Sequence, residues 1–240
     1  PFHSRTIGLS GDGERVPIEM GAKLTGKIGK WNLGVLGVGL EDKGSLLADD
    51  VFAGRVTYDL FGESTVGAIV TDGDPRGNGS ARTYGLDFHL KDSRFQGQEA
   101  KTGELIGWYM QTENEGVEDY GWGLTSIYPN NPIYMRMGLQ RVGEDLDPAM
   151  GFVRRPGIYE FTSFFSYETE PEGSRWNEID FDFSAGFDAD LDWEILSEEY
   201  EFDVTFERNG GGEIQFGIEH EWERFLEDFE ISDGVVVPVG

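Results

Sequence analysis

The chain has no cysteine, which excludes disulfide staples, a thiolate nucleophile and Cys-ligated zinc or iron–sulfur sites. Histidine is almost as scarce: His3, His89 and His220 stand far apart and form no HExxH-type motif. Basic residues are few, 19 Lys and Arg against 46 Asp and Glu, for a formal charge of −27. Such a polyanion repels phosphate backbones, so nucleic acid is excluded as a general partner. No stretch reaches the roughly 18 consecutive apolar residues of a membrane-spanning helix. A transmembrane barrel is untouched by that absence, because its spans alternate instead of running apolar.

What is present argues for a folded chain. Its 240 residues suffice for one sizeable domain or two small ones. With 17 Phe, 9 Tyr and 6 Trp it is far too aromatic for a disordered acidic tail. Glycine, at 35 residues, is roughly twice as frequent as usual.

Period-two patterning dominates. From Ile179 the odd positions carry Phe181, Phe183, Ala185, Phe187, Ala189, Leu191 and Trp193, while Asp180, Asp182, Ser184, Asp188, Asp190 and Asp192 alternate with them. Only an extended chain sorts these onto two faces; a helix would spread the aromatics around its circumference. A bend near Ala189 divides the run if it holds more than one strand. Tyr200, Phe202, Val204 and Phe206 alternate with acids in the same way, and so do Ile214, Phe216 and Ile218. Between these two runs, Asn209-Gly210-Gly211-Gly212 supplies residues that tolerate positive φ, so the pair is expected to form a hairpin.

Earlier strands are expected near 21–29, 32–40, 50–59, 64–72, 80–91, 94–101, 104–113, 116–126, 133–140 and 158–169. In all, about fourteen strands and almost no helix are expected, well above ordinary strand content. Segment 220–230 fits a short helix or a strand, and strand continues the alternation better. The irregular connector 141–157 is expected to be a loop or partial plug. Two all-β architectures stay open on pattern alone. Strands of about 9–11 residues with one polar face suit a tilted transmembrane barrel, and aromatics at strand ends, Trp31, Tyr58, Trp108, Tyr120, Trp122, Tyr159 and Trp176, fit interfacial anchoring. A sandwich would bury the apolar faces against each other instead.

The segments Phe2 to Gly8, Gly21 to Gly29 and Trp31 to Gly34, the R-x-x-x-D-L-F-G-x-S-T-V-G-A stretch from Arg55 to Ala68, Thr71-Asp72, Gly85 to Asp87, Gly151-Phe152-Val153-Arg154-Arg155 and Gly234 to Gly240 together resemble a bacterial family. Its members join a module like family 9 carbohydrate-binding domains to a domain of unknown function similar to an outer-membrane barrel. The resemblance implies an all-β, antiparallel, up-and-down transmembrane β-barrel in a Gram-negative outer membrane, bathed by lipid and lipopolysaccharide. On this reading residues 1–240 form one barrel-type domain, a fragment lacking the upstream module and the final strands. A pore, transport or export role linked to polysaccharide use follows, without cofactor or catalytic residue. The alternatives are a β-rich surface carbohydrate-binding module and a glycoside hydrolase. The acidity exceeds what the family requires, which suggests a saline habitat, and the alternating carboxylates fit either a cation-rich channel or a solvent-bathed sheet.

Candidate site residues are few. Arg154 and Arg155 follow the acidic connector with Glu144, Asp145 and Asp147, and an ion pair anchoring that loop is expected. Arg5 and Lys23 are candidates for a basic ladder opposite acidic strands. Asp72, Asp74 and Asn78 offer oxygen ligands among glycines, yet the spacing lacks the EF-hand frame, so a plain turn is expected. Glycosidase chemistry needs two carboxylates across a sugar, and no pair among the 46 acids is singled out by its context.

Overall fold

A computed structural model describes residues 7–10, 13–41, 50–76, 79–98, 100–224, 229–232 and 235–237. Its strands are β1 (Ile18–Ile28), β2 (Trp31–Leu40), β3 (Val51–Leu60), β4 (Ser64–Asp72), β5 (Ala81–Asp92), β6 (Gly103–Asn114) and β7 (Val117–Pro129). These are followed by β8 (Ile133–Val142), β9 (Ile158–Thr169), β10 (Trp176–Asp190), β11 (Ile195–Arg208), β12 (Glu213–Glu223), β13 (Phe229–Ser232) and β14 (Val235–Val237). The first twelve form one sheet in sequence order, and β13 pairs with β14 separately. The chain falls into two compact units. One comprises Pro1–Asp92, Leu105–Leu124 and Arg141–Gly157, the other Ser93–Glu104, Thr125–Gln140 and Ile158–Gly240.

Each hairpin follows from local chemistry. β1 and β2 meet through Gly29-Lys30, with Ile28 paired to Trp31 and Gly29 at φ 59; a two-residue turn needs that positive φ to match the strand twist. The Asn209–Gly212 turn joins β11 to β12 as expected, Glu207 pairing with Glu213. Among the described residues one expected strand does not form. Residues 94–101 contain a short 3-10 turn at Phe95–Gly97, with Gln96 at φ 55 and Gly97 at φ 73. Phe95 stands there without an alternating partner, so nothing holds the segment extended.

Register sorts the side chains onto two faces. In the first unit Arg55, Gly67 and Asp87 share the polar face with Lys23, Thr25 and Lys27, while Trp31, Leu33, Val66 and Leu86 share the other. In the second, Phe181, Phe183 and Phe187 pair with Val204, Phe202 and Glu198 of β11 and with Tyr167, Phe165 and Phe161 of β9. Phe183 and Phe202 are each 42 % exposed, so this apolar face is not the dry interior of a β-sandwich. A cluster of buried apolar residues lies in the first unit, where Val16, Val38, Leu40, Val51 and Met150 meet.

The expectation of a transmembrane barrel is corrected by the hydrogen bonding. A barrel closes only when its first and last strands pair. Here β1 and β12 lie at opposite ends of the strand order and each has a single neighbour. Among the described residues no ladder joins β1 to β12, so the strand order does not close on itself. Alternation and strand length are properties of each strand, whereas closure belongs to the backbone ladder between distant strands, which side-chain patterning does not encode. Three further expectations rested on closure and are withdrawn with it: the outer-membrane location, the lipid and lipopolysaccharide surroundings, and the pore, transport or export role. The carboxylates line one face of an open sheet, not a lumen. Among the described residues no helix is long and apolar enough to cross a membrane.

Candidate functional site

The residues singled out in the sequence fall at several places. Arg5 lies outside the described residues. Lys23 is on the polar face of β1, exposed, at the register position of Leu36. Two acids of the connector after β8 are bound by residues of other segments. Asp147 is gripped by Arg76, whose Nη1 and Nη2 donate to its two carboxylate oxygens at 3.0 and 2.7 Å. The Asp145 backbone N–H donates to Asp119 Oδ2 at 2.8 Å. Glu144 is exposed; Arg154 is exposed and Arg155 half-buried, each with an interaction partner. Arg76 is the residue the sequence reading missed. Its signal was its place two positions after an Asp in a glycine-rich turn, where the side chain folds back onto that acid. The chain turns at Pro75-Arg76, where Asp74 Oδ1 accepts from both the Arg76 backbone N–H and Nε, and Asn78 lies outside the described residues.

The second unit gathers carboxylates on one face of β9 to β11. Glu168 and Asp180 are cross-strand partners on β9 and β10, and Glu178 precedes Asp180 by two on the same face. The three carboxylates place oxygen atoms within 4.8 Å of one another. Asp180's charge holds the Glu178 carboxyl above its usual pKa, reinforced by burial and Glu168. Burial chiefly raises Asp180, and Asp203 raises Glu201 on the neighbouring strand. A carboxyl raised in the folded state binds its proton more tightly than in the unfolded chain, so it stabilises the fold as pH drops toward the raised value. Asp59, lowered chiefly by its hydrogen bond from Lys27, has the opposite sign, but its contribution is lost only on passing below the ordinary carboxyl range near pH 4. The unfolding midpoint is therefore expected to rise between pH 8 and about pH 5.5. Added salt at pH 8 should act in the same direction, and Asp180→Asn should shrink both effects. A midpoint independent of pH and salt in thermal melts would contradict this.

Two aromatic clusters differ in accessibility. Tyr120 stacks with Tyr109 at 6.1 Å between centroids, and the Arg141 guanidinium lies 4.1 Å from its ring centre. Arg141 also donates to the Tyr120 carbonyl at 2.5 Å and pairs with Asp119 at 3.6 Å. That ring is capped by its own chain. The other cluster lies at the four-residue turn between β10 and β11. Here Trp193 stacks on Tyr159 of β9, 4.1 Å between centroids and 11° from parallel. Trp193 is 55 % exposed.

The turn that holds Trp193 is built by Asp190. Its Oδ1 accepts from the backbone N–H of Asp192 at 2.9 Å and of Glu194 at 2.8 Å, an Asx-type closure. The Asp190 carbonyl accepts from the Trp193 N–H at 3.1 Å. Trp193 itself sits at φ 68, a conformation costing a non-glycine residue about 1–3 kcal/mol. Beneath the turn Ile158, Ala189 and Leu196 are buried. Beside it Glu194 Oε2 accepts from Arg224 Nη1 at 2.9 Å, and Asp192 is exposed. The result is a flat, rigid aromatic surface rimmed by a carboxylate, a guanidinium–carboxylate pair and backbone polar groups. Compared with known protein families, curated proteins and solved structures, the chain matches none of them.

Proposed function

We propose that the protein is a β-rich carbohydrate-binding module whose contact surface is the Tyr159–Trp193 platform. The observation that carries this reading is Trp193 itself, a large aromatic held in left-handed backbone at a turn, stacked on one side and exposed on the other. Strain of this kind persists where surrounding structure imposes it and concentrates at ligand-contacting positions. A pyranose ring offers a flat C–H surface that a parallel indole desolvates, while its equatorial hydroxyls project sideways toward donors and acceptors. Asp192, Glu194 and Arg224 supply those groups at the rim. The net charge of −27 opposes polyuronates at low salt, so neutral saccharides are the favoured class.

Trp193→Gly tests this cleanly, because glycine accepts the positive φ without strain. The variant loses about 0.5–1.5 kcal/mol of ring stacking and gains a similar amount from relieved strain, so its unfolding midpoint should stay within a few degrees of the parent. Retardation in native gels containing neutral polysaccharides should be lost, together with the tryptophan fluorescence change on adding their oligosaccharides. A variant that binds saccharide like the parent, or a parent that binds none of a broad neutral panel, would overturn the reading.

A further inference from the structure

The first unit holds a cavity of about 410 Å³ on the polar face of β1–β4, far along the chain from the aromatic platform. Its floor owes its depth to Gly34. That residue pairs with Thr25 on one side and Arg55 on the other, and a Cβ built on it would meet only the Thr25 methyl group, at 4.0 Å. The space a side chain would fill is open. Leu36 and Ile69 give it apolar walls, and Ile7, from the segment before β1, also lines it.

The charges around this space do not cancel. Arg55 is neutralised by a bidentate pair with Asp87, Nη2 to Oδ1 and Nη1 to Oδ2, both at 2.8 Å. Lys27, two residues along β1, is held by Asp59 at 2.7 Å. Lys23 also lines the cavity, and no described residue makes an ion pair or hydrogen bond with its ammonium. In a chain with 46 acids and 19 bases, a lysine left without a carboxylate beside a mostly apolar cavity is the exception to be explained. The Thr25 hydroxyl stands two positions away on the same face.

We infer that this cavity is a binding site for a small amphipathic carboxylate, its anionic head on Lys23 and Thr25 and its apolar body against Leu36, Ile69 and Ile7. Pockets of this size bury compact ligands, here roughly ten to fifteen non-hydrogen atoms. The ammonium supplies a charge-assisted hydrogen bond to the head. The Arg55–Asp87 pair, already satisfied, acts as a fixed polar wall and not as a second anion site.

Octanoate and 1-octanol are suitable probes, sharing an alkyl body and differing in head charge. Titration calorimetry of the whole chain should show saturable octanoate binding, with a dissociation constant on the order of 0.1–1 mM for so few atoms, and binding of 1-octanol at least tenfold weaker. Lys23→Gln should bring octanoate down to the level of the alcohol. Gly34→Leu should abolish binding of both probes, and Gly34→Ile, better suited to a strand, provides the same block if the leucine variant unfolds. Three results would overturn the inference: no saturable octanoate binding, equal affinity for the alcohol, or binding that survives a folded Gly34 variant and therefore occurs on the exposed apolar face.

Discussion

Replacing Arg76 with methionine is expected to cost about 3–5 kcal/mol of stability, the largest single loss outside the apolar core. The reason is the carboxylate left behind. Asp74 has a side chain only 4 % exposed, against 51 % for Asp147, and the same guanidinium serves both. Arg76 Nε and Nη2 donate to Asp74 at 2.9 and 3.1 Å. Without them the buried carboxylate keeps, among the described residues, only the backbone N–H of residue 76, at 2.8 Å. The guanidinium cannot escape the site by losing its proton, because its hydrogen bonds to Asp147 and Asp74 raise its pKa further still.

Asp147→Asn provides the internal comparison. That carboxylate is half in water, where an ion pair contributes about 1 kcal/mol or less. Its backbone is held independently, the Asp147 N–H donating to Thr112 Oγ1 at 3.4 Å and the carbonyl accepting from Asn114 Nδ2 at 2.6 Å. Urea unfolding should therefore rank Arg76→Met well below Asp147→Asn in stability. Protease nicking of the 143–157 loop should accelerate in the first variant far more than in the second. Equal losses would mean that Asp74 finds other partners when the arginine is removed.

Met150→Ala is the second large effect, expected at about 2–5 kcal/mol. Met150 is 2 % exposed and belongs to the cluster of Val16, Val38, Leu40 and Val51. It comes from the loop, while Val38, Leu40 and Val51 come from strand positions on the face that elsewhere carries Lys27, Arg55 and Asp87. The thioether thus closes an apolar patch that the sheet cannot bury alone. Truncation leaves a void that neighbours on hydrogen-bonded strands cannot collapse to fill. Met150→Leu keeps the volume and should cost less than about 1.5 kcal/mol. Comparison of the two by denaturant midpoint separates cavity formation from any general intolerance of the loop.

The strands were legible because their signal is local. Residues 64–72 and 158–169 are the observed β4 and β9 to the residue, and the alternation from Ile179 fixes the face of every side chain through Asp190. The turn at 191–194 was less visible, since Leu191 and Trp193 continue the odd-position pattern. Only the side chain of Asp190, bonding back to residues 192 and 194, ends the strand there. Arg76 on Asp74 had a local signal, but its grip on Asp147 and the cavity over Gly34 were not legible. Each depends on segments brought together from positions tens of residues apart, and no periodicity records such a meeting. Openness of the sheet was hidden for the same reason. Whether β1 finds β12 concerns residues nearly two hundred positions apart, while every feature of the pattern spans fewer than twenty.

The order of the sheet, in which each strand lies beside its sequence neighbours without a crossover, has a consequence for how the chain comes together. Every ladder joins sequence neighbours, over connectors of two residues (29–30) to fifteen (143–157), and closure entropy grows only slowly over that range. Assembly can proceed hairpin by hairpin from any starting point, as a zipper does, with no long-range search to limit its rate. The growing end always presents an unpaired strand until its successor arrives. That transient edge, and not the finished sheet, is where two chains in synthesis at once are most exposed to pairing with each other. The regular carboxylates of β10 to β12, alternating through Asp180, Asp182, Glu201, Asp203, Glu219 and Glu221, place like charges along the late edges. Mispaired copies would repel one another there until the correct neighbour emerges.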